Sequence, residues 1–239
     1  MGNKKMCSRI VQVHKSTMYG SVNLQSRSDQ AVVSLLVEVD LASGAATPLA
    51  FLSPSPSPSI AISPSGKGYR MVGRLVTNRM LQQFDIETGG VVEEVNVTFV
   101  YPALEYVGCK LYGAGIQEAN GMSVLNIINP KTGEETLVGT TGVNTFSGLA
   151  YDCKEEILYG VTSPFTSPET GSRLYTIDLA TAAATLVGPT SVPLTGLEYA
   201  KGVLYAVNPL GALYTLNAMT GEAKLVGPSV SGLSGLSFD

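Results

Sequence analysis

The feature that most restricts what this chain can become is a tyrosine that returns at an almost constant interval. Met18-Tyr19-Gly20, Gly68-Tyr69-Arg70, Leu111-Tyr112-Gly113, Leu158-Tyr159-Gly160 and Leu204-Tyr205-Ala206 place the ring 50, 43, 47 and 46 residues apart. A period in the forties is the length of one four-stranded unit in a propeller, and a unit of that kind cannot bury its apolar faces alone.

A second anchor follows each tyrosine. Asp40, Asp85, Asn129, Asp178 and Asn217 each stand four residues before Gly44, Gly89, Gly133, Ala182 and Gly221, and Ser or Thr directly precedes that last position every time. The Asp or Asn side chain accepts backbone N–H bonds as a turn opens, and Gly supplies the positive φ that closes a hairpin. Ala182 breaks the rule, so a left-handed Ala with modest strain is expected there. Next comes a strand such as Thr136-Leu137-Val138-Gly139, Thr185-Leu186-Val187-Gly188 or Lys224-Leu225-Val226-Gly227. A polar loop leads on to Gly148-Leu149-Ala150-Tyr151, Gly196-Leu197-Glu198-Tyr199 or Gly235-Leu236-Ser237-Phe238. In blade order the Gly-Leu-x-Tyr strand is A, the Tyr strand B, the strand before the Asp/Asn turn C, and the strand after it D.

The Leu-Tyr, Ile-Asp-x-x-Thr-Gly and Leu-Val-Gly spacing resembles bacterial propeller repeats of the broad quinoprotein-like and NHL-like kind. The resemblance spans nearly the whole chain and implies an architecture, because those families share blades and no single activity. The Trp-Asp signature of another large propeller class is missing, and the chain has no Trp.

Composition agrees with a body of short strands and many turns. Of 239 residues only 14% are charged and 44% are hydrophobic, with 26 Gly and 13 Pro, and no long stretch repeats apolar residues at the helical period. A compact body of this size hides roughly 70–75% of its unfolded surface, enough for a substantial core. The expectation is one all-β domain over residues 1–239, a five-bladed propeller of antiparallel four-stranded blades. Its repeats fall near 14–60, 61–102, 103–147, 148–195 and 196–232, with a closing strand at 233–239. Each sheet needs a neighbour on both sides, and only a ring provides one for the first and the last. Gly235–Phe238 is an A strand with no B strand after it, so it is expected to complete the first blade. Ile10, Val11 and Val13 compete for that place and match the consensus less well.

Several function classes are excluded or disfavoured. The net charge is −4 with no basic cluster, which removes the phosphate neutralisation that nucleic acid binding draws on. Cys7, Cys109 and Cys153 fit neither a disulfide framework nor a CxxC metal site and read as free thiols. No run approaches the ~18 apolar residues of a spanning helix, MGNKKMCS holds no apolar signal region, and Met6 stands where a myristoylation signal wants Ser or Thr. No membrane partner is expected, and the compartment is left open. His14 is the only histidine, which excludes a multi-histidine metal site and leaves a Ser-His-Asp triad one candidate. Gly232-Leu233-Ser234-Gly235 lacks nucleophile-elbow spacing, and Gly113-Ala114-Gly115 lacks the third glycine of a dinucleotide loop. No cofactor and no metal are expected. Asn96-Val97-Thr98 fits a glycosylation sequon, a short pattern that arises often by chance. Ser53 to Ser59 alternates Ser and Pro where a D to A connector belongs and reads as a stiff linker.

A meander puts the A to B and C to D turns on one face and the B to C and D to A loops on the other. The C to D turns are near-copies, whereas the B to C loops vary: Asn23 to Val33, Leu75 to Arg79, Ile116 to Met122, Thr162 to Arg173 and Asn208 to Ala212. Variable loops on a rigid frame are where binding residues collect, which selects Arg27, Arg79, Gln117 and Phe165. Ser147, Thr195 and Ser234 recur at the mouths of A strands and are expected to line a narrow axial opening, holding water or a small polar ligand. Glu105 and Glu198 share one A-strand position in two non-adjacent blades. They read as structural acids or as the acid pair of a glycosidase, which needs roughly 5–10 Å between carboxyls. Lys15, Lys67, Lys110, Lys154 and Lys201 sit one in each A to B turn, forming a basic circle on the opposite face or a set of solubilising residues.

The reading that follows is a noncatalytic ligand-binding or protein-interaction propeller, monomeric, contacting a small polar ligand, glycan or protein through its variable loop face. The alternatives are a carbohydrate-active hydrolase or lyase using Glu105 and Glu198, and a structural domain of a larger parent.

Overall fold

A computed structural model describes residues 16–25, 32–53, 55–73, 79–117, 119–163 and 171–239. Its strands are β1 (Met18–Gln25), β2 (Val32–Val39), β3 (Ala46–Ser53), β4 (Ile60–Ile62), β5 (Gly68–Val72), β6 (Met80–Phe84), β7 (Val91–Asn96), β8 (Ala103–Val107), β9 (Lys110–Ile116) and β10 (Met122–Ile128). They continue as β11 (Glu135–Asn144), β12 (Phe146–Asp152), β13 (Ile157–Thr162), β14 (Arg173–Ile177), β15 (Ala184–Pro189), β16 (Gly196–Ala200), β17 (Val203–Asn208), β18 (Ala212–Leu216), β19 (Ala223–Pro228) and β20 (Leu233–Phe238). There is no helix among the described residues, and so none long and apolar enough to cross a membrane.

The strands form five antiparallel four-stranded sheets. Four follow chain order, β4 to β7, β8 to β11, β12 to β15 and β16 to β19, while blade 1 is ordered β20-β1-β2-β3. The inner strands adjoin in the sequence β4, β8, β12, β16, β20 and back to β4, which makes a closed propeller. The C-terminal strand therefore completes blade 1, pairing Met18 with Phe238 and Gly20 with Leu236. Thr17 N donates to Asp239 Oδ1 across the joint at 2.7 Å. Ile10, Val11, Val13, His14, Lys15 and Cys7 lie outside the described residues.

The Leu-Tyr dipeptide is explained by strand alternation, which sends neighbouring side chains to opposite faces of a blade. Each tyrosine enters the core shared with the following blade: Tyr19 with Ile60 and Phe84, Tyr69 with Leu104, Tyr112 with Leu149, Tyr159 with Leu197, and Tyr205 with Leu236. The residue before it faces the preceding blade, as Met18, Leu111, Leu158 and Leu204 do. Full burial of each such aliphatic side chain contributes roughly 1.5–3 kcal/mol. Blade 2 has Gly68 there because the Phe84 ring fills the space, and a Cβ on Gly68 would lie 2.4 Å from it.

The Asp/Asn turns form as their chemistry requires. Asp85 Oδ1 accepts from Thr88 N and Thr88 Oγ1, both at 2.8 Å, and Asp178 Oδ1 accepts from Thr181 N at 2.7 Å and Thr181 Oγ1 at 2.8 Å. These bonds hold the Asp40, Asp85 and Asp178 carboxyls below their ordinary pKa, Ser43 or Thr acting most strongly in each. Ala182 does adopt a positive φ, 64°. The Leu-Val-Gly glycine has a separate purpose. A Cβ at Gly139, Gly188 or Gly227 would lie 2.4, 2.0 and 2.0 Å from the carbonyl oxygens of Thr181, Thr220 and Ser43, so glycine lets the next blade's turn dock on the outer strand.

One expected boundary is corrected. Asn23 to Gln25 belong to β1, and not to the B to C loop, because Asn23 pairs in register with Ser34 and Gln25 with Val32. The loops bounded by Ile116 and Met122, Thr162 and Arg173, and Asn208 and Ala212 begin and end where the spacing places them.

Candidate ligand-binding site at the propeller axis

Inner strands present one polar backbone edge to the axis, and a propeller must satisfy that edge without a further strand. Hydroxyl residues at the strand mouths perform part of this task. Ser147 Oγ donates to Leu194 O at 2.9 Å, Thr195 Oγ1 to Leu233 O at 3.0 Å, and Ser234 Oγ to Ser57 O at 3.1 Å. Every acceptor lies just before or at the start of the next blade's inner strand, so each bond is a latch between blades. The equivalent positions of blades 2 and 3 are Pro58 and Pro102, and there Ser59, one residue on, reaches Tyr101 O at 2.7 Å.

Above these latches opens a cavity of 460 Å³ on the B to C and D to A face. Asn23, Gln25, Ser147, Ser163, Thr195 and Ser234 supply its polar lining, and Val32, Pro56, Pro58, Val100 and Pro102 supply most of the apolar remainder. The Ser-Pro connector is thus part of the site as well as a linker between blades. Asn23 holds it in place. Its Nδ2 donates to Ser57 O at 3.0 Å and Ser234 Oγ at 2.7 Å, while its Oδ1 accepts from Ser57 N at 2.8 Å and Ser34 Oγ at 2.6 Å. Both amide hydrogens are used and the oxygen accepts from Ser57 N, while the single hydrogen of Ser34 is shared between Asn23 Oδ1 and Ser55 O, 2.8 Å away.

Below the mouth the inner strands converge on a void of only 10 Å³, lined by residues that include Ser59, Ala103, Gly148, Gly196 and Gly235 with Ile60, Leu104, Leu149, Leu197 and Leu236. That is about the space of one water. Glycine allows the approach: a Cβ on Gly148 would stand 2.4 Å from Leu197 N.

Glu105 and Glu198 lie three residues beyond the hydroxyl position on their strands, about 10 Å further along the axis at ordinary strand rise. They are 9% and 5% exposed, and Ala61, Ala150 and Ser237 occupy the corresponding places in the other blades. Glu198 accepts from Tyr199 N at 2.7 Å and from Phe238 N, in the closing strand, at 3.2 Å. Burial pushes its carboxyl up to about 8 against the pull of those amides. Burial, and then the charge of Glu198, raise the Glu105 carboxyl well above the carboxylate range, with the Tyr106 amide opposing. The charge of Glu198 thus reaches Glu105 across non-adjacent blades.

The remaining candidates are placed apart. The Arg79 guanidinium donates to Thr98 O, and Gln117 closes its loop by donating from its backbone to Met122 O at 2.9 Å; neither lines the cavity. Arg27 and Phe165 lie outside the described residues. Lys67, Lys110, Lys154 and Lys201 are exposed in A to B turns on the opposite face, Lys154 paired with Glu155 at 3.0 Å and Lys201 5.7 Å above the Phe238 ring. Cys109 and Cys153 are exposed, and neither is in a disulfide. The described residues contain no group of three or more His, Cys, Asp or Glu arranged to hold a metal.

Asn23, Pro56, Pro58, Val100 and Pro102 escaped selection from sequence. The only signal was position, since each stands at the mouth end of a strand or in the connector leading to one.

No family model matches the chain, and no curated protein is significantly similar to it. Solved structures are similar in fold. A chain of a nidogen/laminin complex superposes with a TM-score of 0.58 at 10% identity, covering 91% of this chain and 84% of that one. The PQQ-bound aldose sugar dehydrogenase of Streptomyces coelicolor gives 0.55 at 14% identity, with 89% and 84% covered. TolB of Acinetobacter baumannii gives 0.50 at 13% identity, with 93% and 66% covered. The chain shares the β-propeller fold with these proteins.

Proposed function

We propose that this chain is a noncatalytic binding propeller whose ligand occupies the axial cavity on the B to C and D to A face. The observation that carries the reading is the cavity itself: 460 Å³, concave, walled by proline on one side and by uncharged polar groups on the other. Its size falls within the usual range for small-molecule sites, as does a mostly apolar wall with a few convergent polar groups. The fold neighbours include a propeller bound to PQQ and one in a complex with laminin, so the frame is compatible with small and large partners alike.

Geometry disfavours the hydrolase alternative. A glycosidase needs its two carboxyls to flank a substrate bond. Glu105 and Glu198 are buried and sit beyond the 10 Å³ constriction from the cavity.

The test is a thermal-shift screen of small polar metabolites against the wild-type chain and against Gln25→Trp, which fills the mouth from an exposed rim position. A ligand that binds only the native state raises the midpoint by mass action. The expected result is stabilisation of the wild type that Gln25→Trp abolishes and that Glu105→Gln with Glu198→Gln retains. Equal shifts in wild type and Gln25→Trp, or none across the panel, would reject the cavity as the site.

A further inference from the structure

We infer that the chain has a second ligand site, separate from the axial cavity, where the buried Arg70 guanidinium binds a small monovalent anion of the halide class between blades 1 and 2.

Arg70 stands where the repeat is broken. The residue after the B-strand tyrosine is Gly20, Gly113, Gly160 or Ala206 in the other blades. Those three glycines make room for the large side chain that directly precedes the strand mouth of the same blade. A Cβ on Gly20, Gly113 or Gly160 would stand 2.6, 2.4 or 2.8 Å from Leu233, Tyr101 or Phe146. Blade 2 has Ser57 in place of that apolar plug and an arginine in place of the glycine. Packing asks for neither change, since a small residue against a large apolar one already fills the slot in the other blades.

The cation so introduced is left short of partners. Arg70 is fully buried, paired across the ladder with Ile60 and Gln82 on the face turned toward blade 1. Its Nη2 donates to Leu52 O at 3.2 Å and to Gln82 Oε1, which uses two of the five guanidinium hydrogens. Nε and Nη1 are buried and unpaired. The carboxylate whose charge reaches the group, Glu94, is held one side chain away: Gln82 accepts from Arg70 and donates to Glu94 Oε1 on the exposed outer strand. Burial outweighs that distant charge and pulls the guanidinium down to about 10. A buried cation with free N–H groups and no direct counter-ion is costly, and an anion accepting from those groups offsets the cost. Because the guanidinium has no exposed surface, the anion must be small and must shed its water, which favours chloride and bromide over strongly hydrated fluoride.

Bromide is the probe. The full chain is melted at constant ionic strength while bromide replaces gluconate up to roughly 200 mM, with fluoride in a parallel series, and amide shifts are followed by NMR in both. A site half-filled near roughly 20 mM shifts the unfolding equilibrium about tenfold by the end of the bromide series, or roughly 3–6 °C in Tm. The amides of Ser57, Arg70 and Gln82 are expected to move and saturate with bromide and to stay still with fluoride. Gln82→Glu with Glu94→Gln seats a carboxylate directly on the guanidinium, reverses the outer hydrogen bond and leaves the net charge unchanged. That variant is expected to lose the bromide response, as is Arg70→Met. Melting curves establish that each is folded, and if neither is, the wild-type amide shifts decide. A wild type indifferent to bromide, stabilisation by fluoride above bromide as non-specific salt exclusion gives, or an equal bromide response in the exchanged variant each overturns the inference. None of these outcomes bears on the axial cavity, which is tested by the metabolite screen.

Discussion

The buried acids at the axis make stability depend on pH in an unusual direction. An unfolded Glu loses its proton near pH 4.3, whereas Glu198 in the folded ring keeps its proton to about 8 and Glu105 is also raised. The folded pKa lies above the unfolded one, so the acid form favours folding fully below the unfolded value. That advantage drains away as pH climbs toward the folded value. Each proton that the native state holds and the unfolded chain releases lowers stability by about 1.4 kcal/mol per pH unit. Between pH 5.5 and 7.5 the proton retained on Glu198 costs about 3 kcal/mol, and Glu105 acts in the same direction. For a domain of this size, 3 kcal/mol corresponds to roughly 6–12 °C in Tm. Glu105→Gln with Glu198→Gln preserves shape and one of the two amide acceptors of Glu198 while removing the titration. The assay is urea unfolding of both proteins every half pH unit from 5 to 8. Subtracting the curves cancels the titrations common to both. The wild type is expected to lose stability relative to the double variant steadily across that range. Parallel profiles would show that the pair ionises normally, and the account of two desolvated, mutually repelling carboxyls would be wrong.

Removing the Asn23 side chain strips Ser57 N of its acceptor in the connector between blades 1 and 2. Asn23→Ala is expected to cost about 1–3 kcal/mol and lower Tm by roughly 2–12 °C, and a shift under 1 °C in calorimetry would contradict the network. Gly188→Ala would drive a Cβ to 2.0 Å from Thr220 O, a backbone atom with little freedom to yield. A loss of at least about 2 kcal/mol in urea unfolding is expected, and a near-neutral result would mean the turn does not dock there. At Ala182 two effects oppose: glycine would relieve about 1 kcal/mol of left-handed strain and remove a fully buried methyl worth about 0.8 kcal/mol. Ala182→Gly is accordingly expected within about 0.5 kcal/mol of wild type by the same assay.

The sequence carried the frame because the frame repeats. Leu204-Tyr205 states in two residues which side chain faces the blade before and which the blade after, and Asp178-x-x-Thr181 states a turn whose hydrogen bonds are all local. Ring closure followed from Gly235–Phe238 matching an inner strand with no partner behind it. The site was less legible because its determinants are long-range. That Ser147 and Thr195 line the axis was readable from their place at strand mouths. That their hydrogens are spent on Leu194 O and Leu233 O was not, since those carbonyls belong to the following blades. Asn23 looked like a loop residue because it is polar and precedes a variable stretch, yet its backbone pairs with Ser34 and its side chain reaches residues 34 and 211 positions away. Pro56 and Pro58 gave the opposite impression, a spacer, because nothing local announces that a connector dips toward the axis.

The placement of β20 has a consequence for how the molecule is made. Blade 1 pairs residues near both ends of the chain, with Thr17 and Asp239 joined across 222 positions. On a ribosome, therefore, the inner edge of β1 stays open until β20 has emerged, after the strands of the other four sheets. The slowest and most aggregation-exposed step of ring assembly is then the capture of a single six-residue strand.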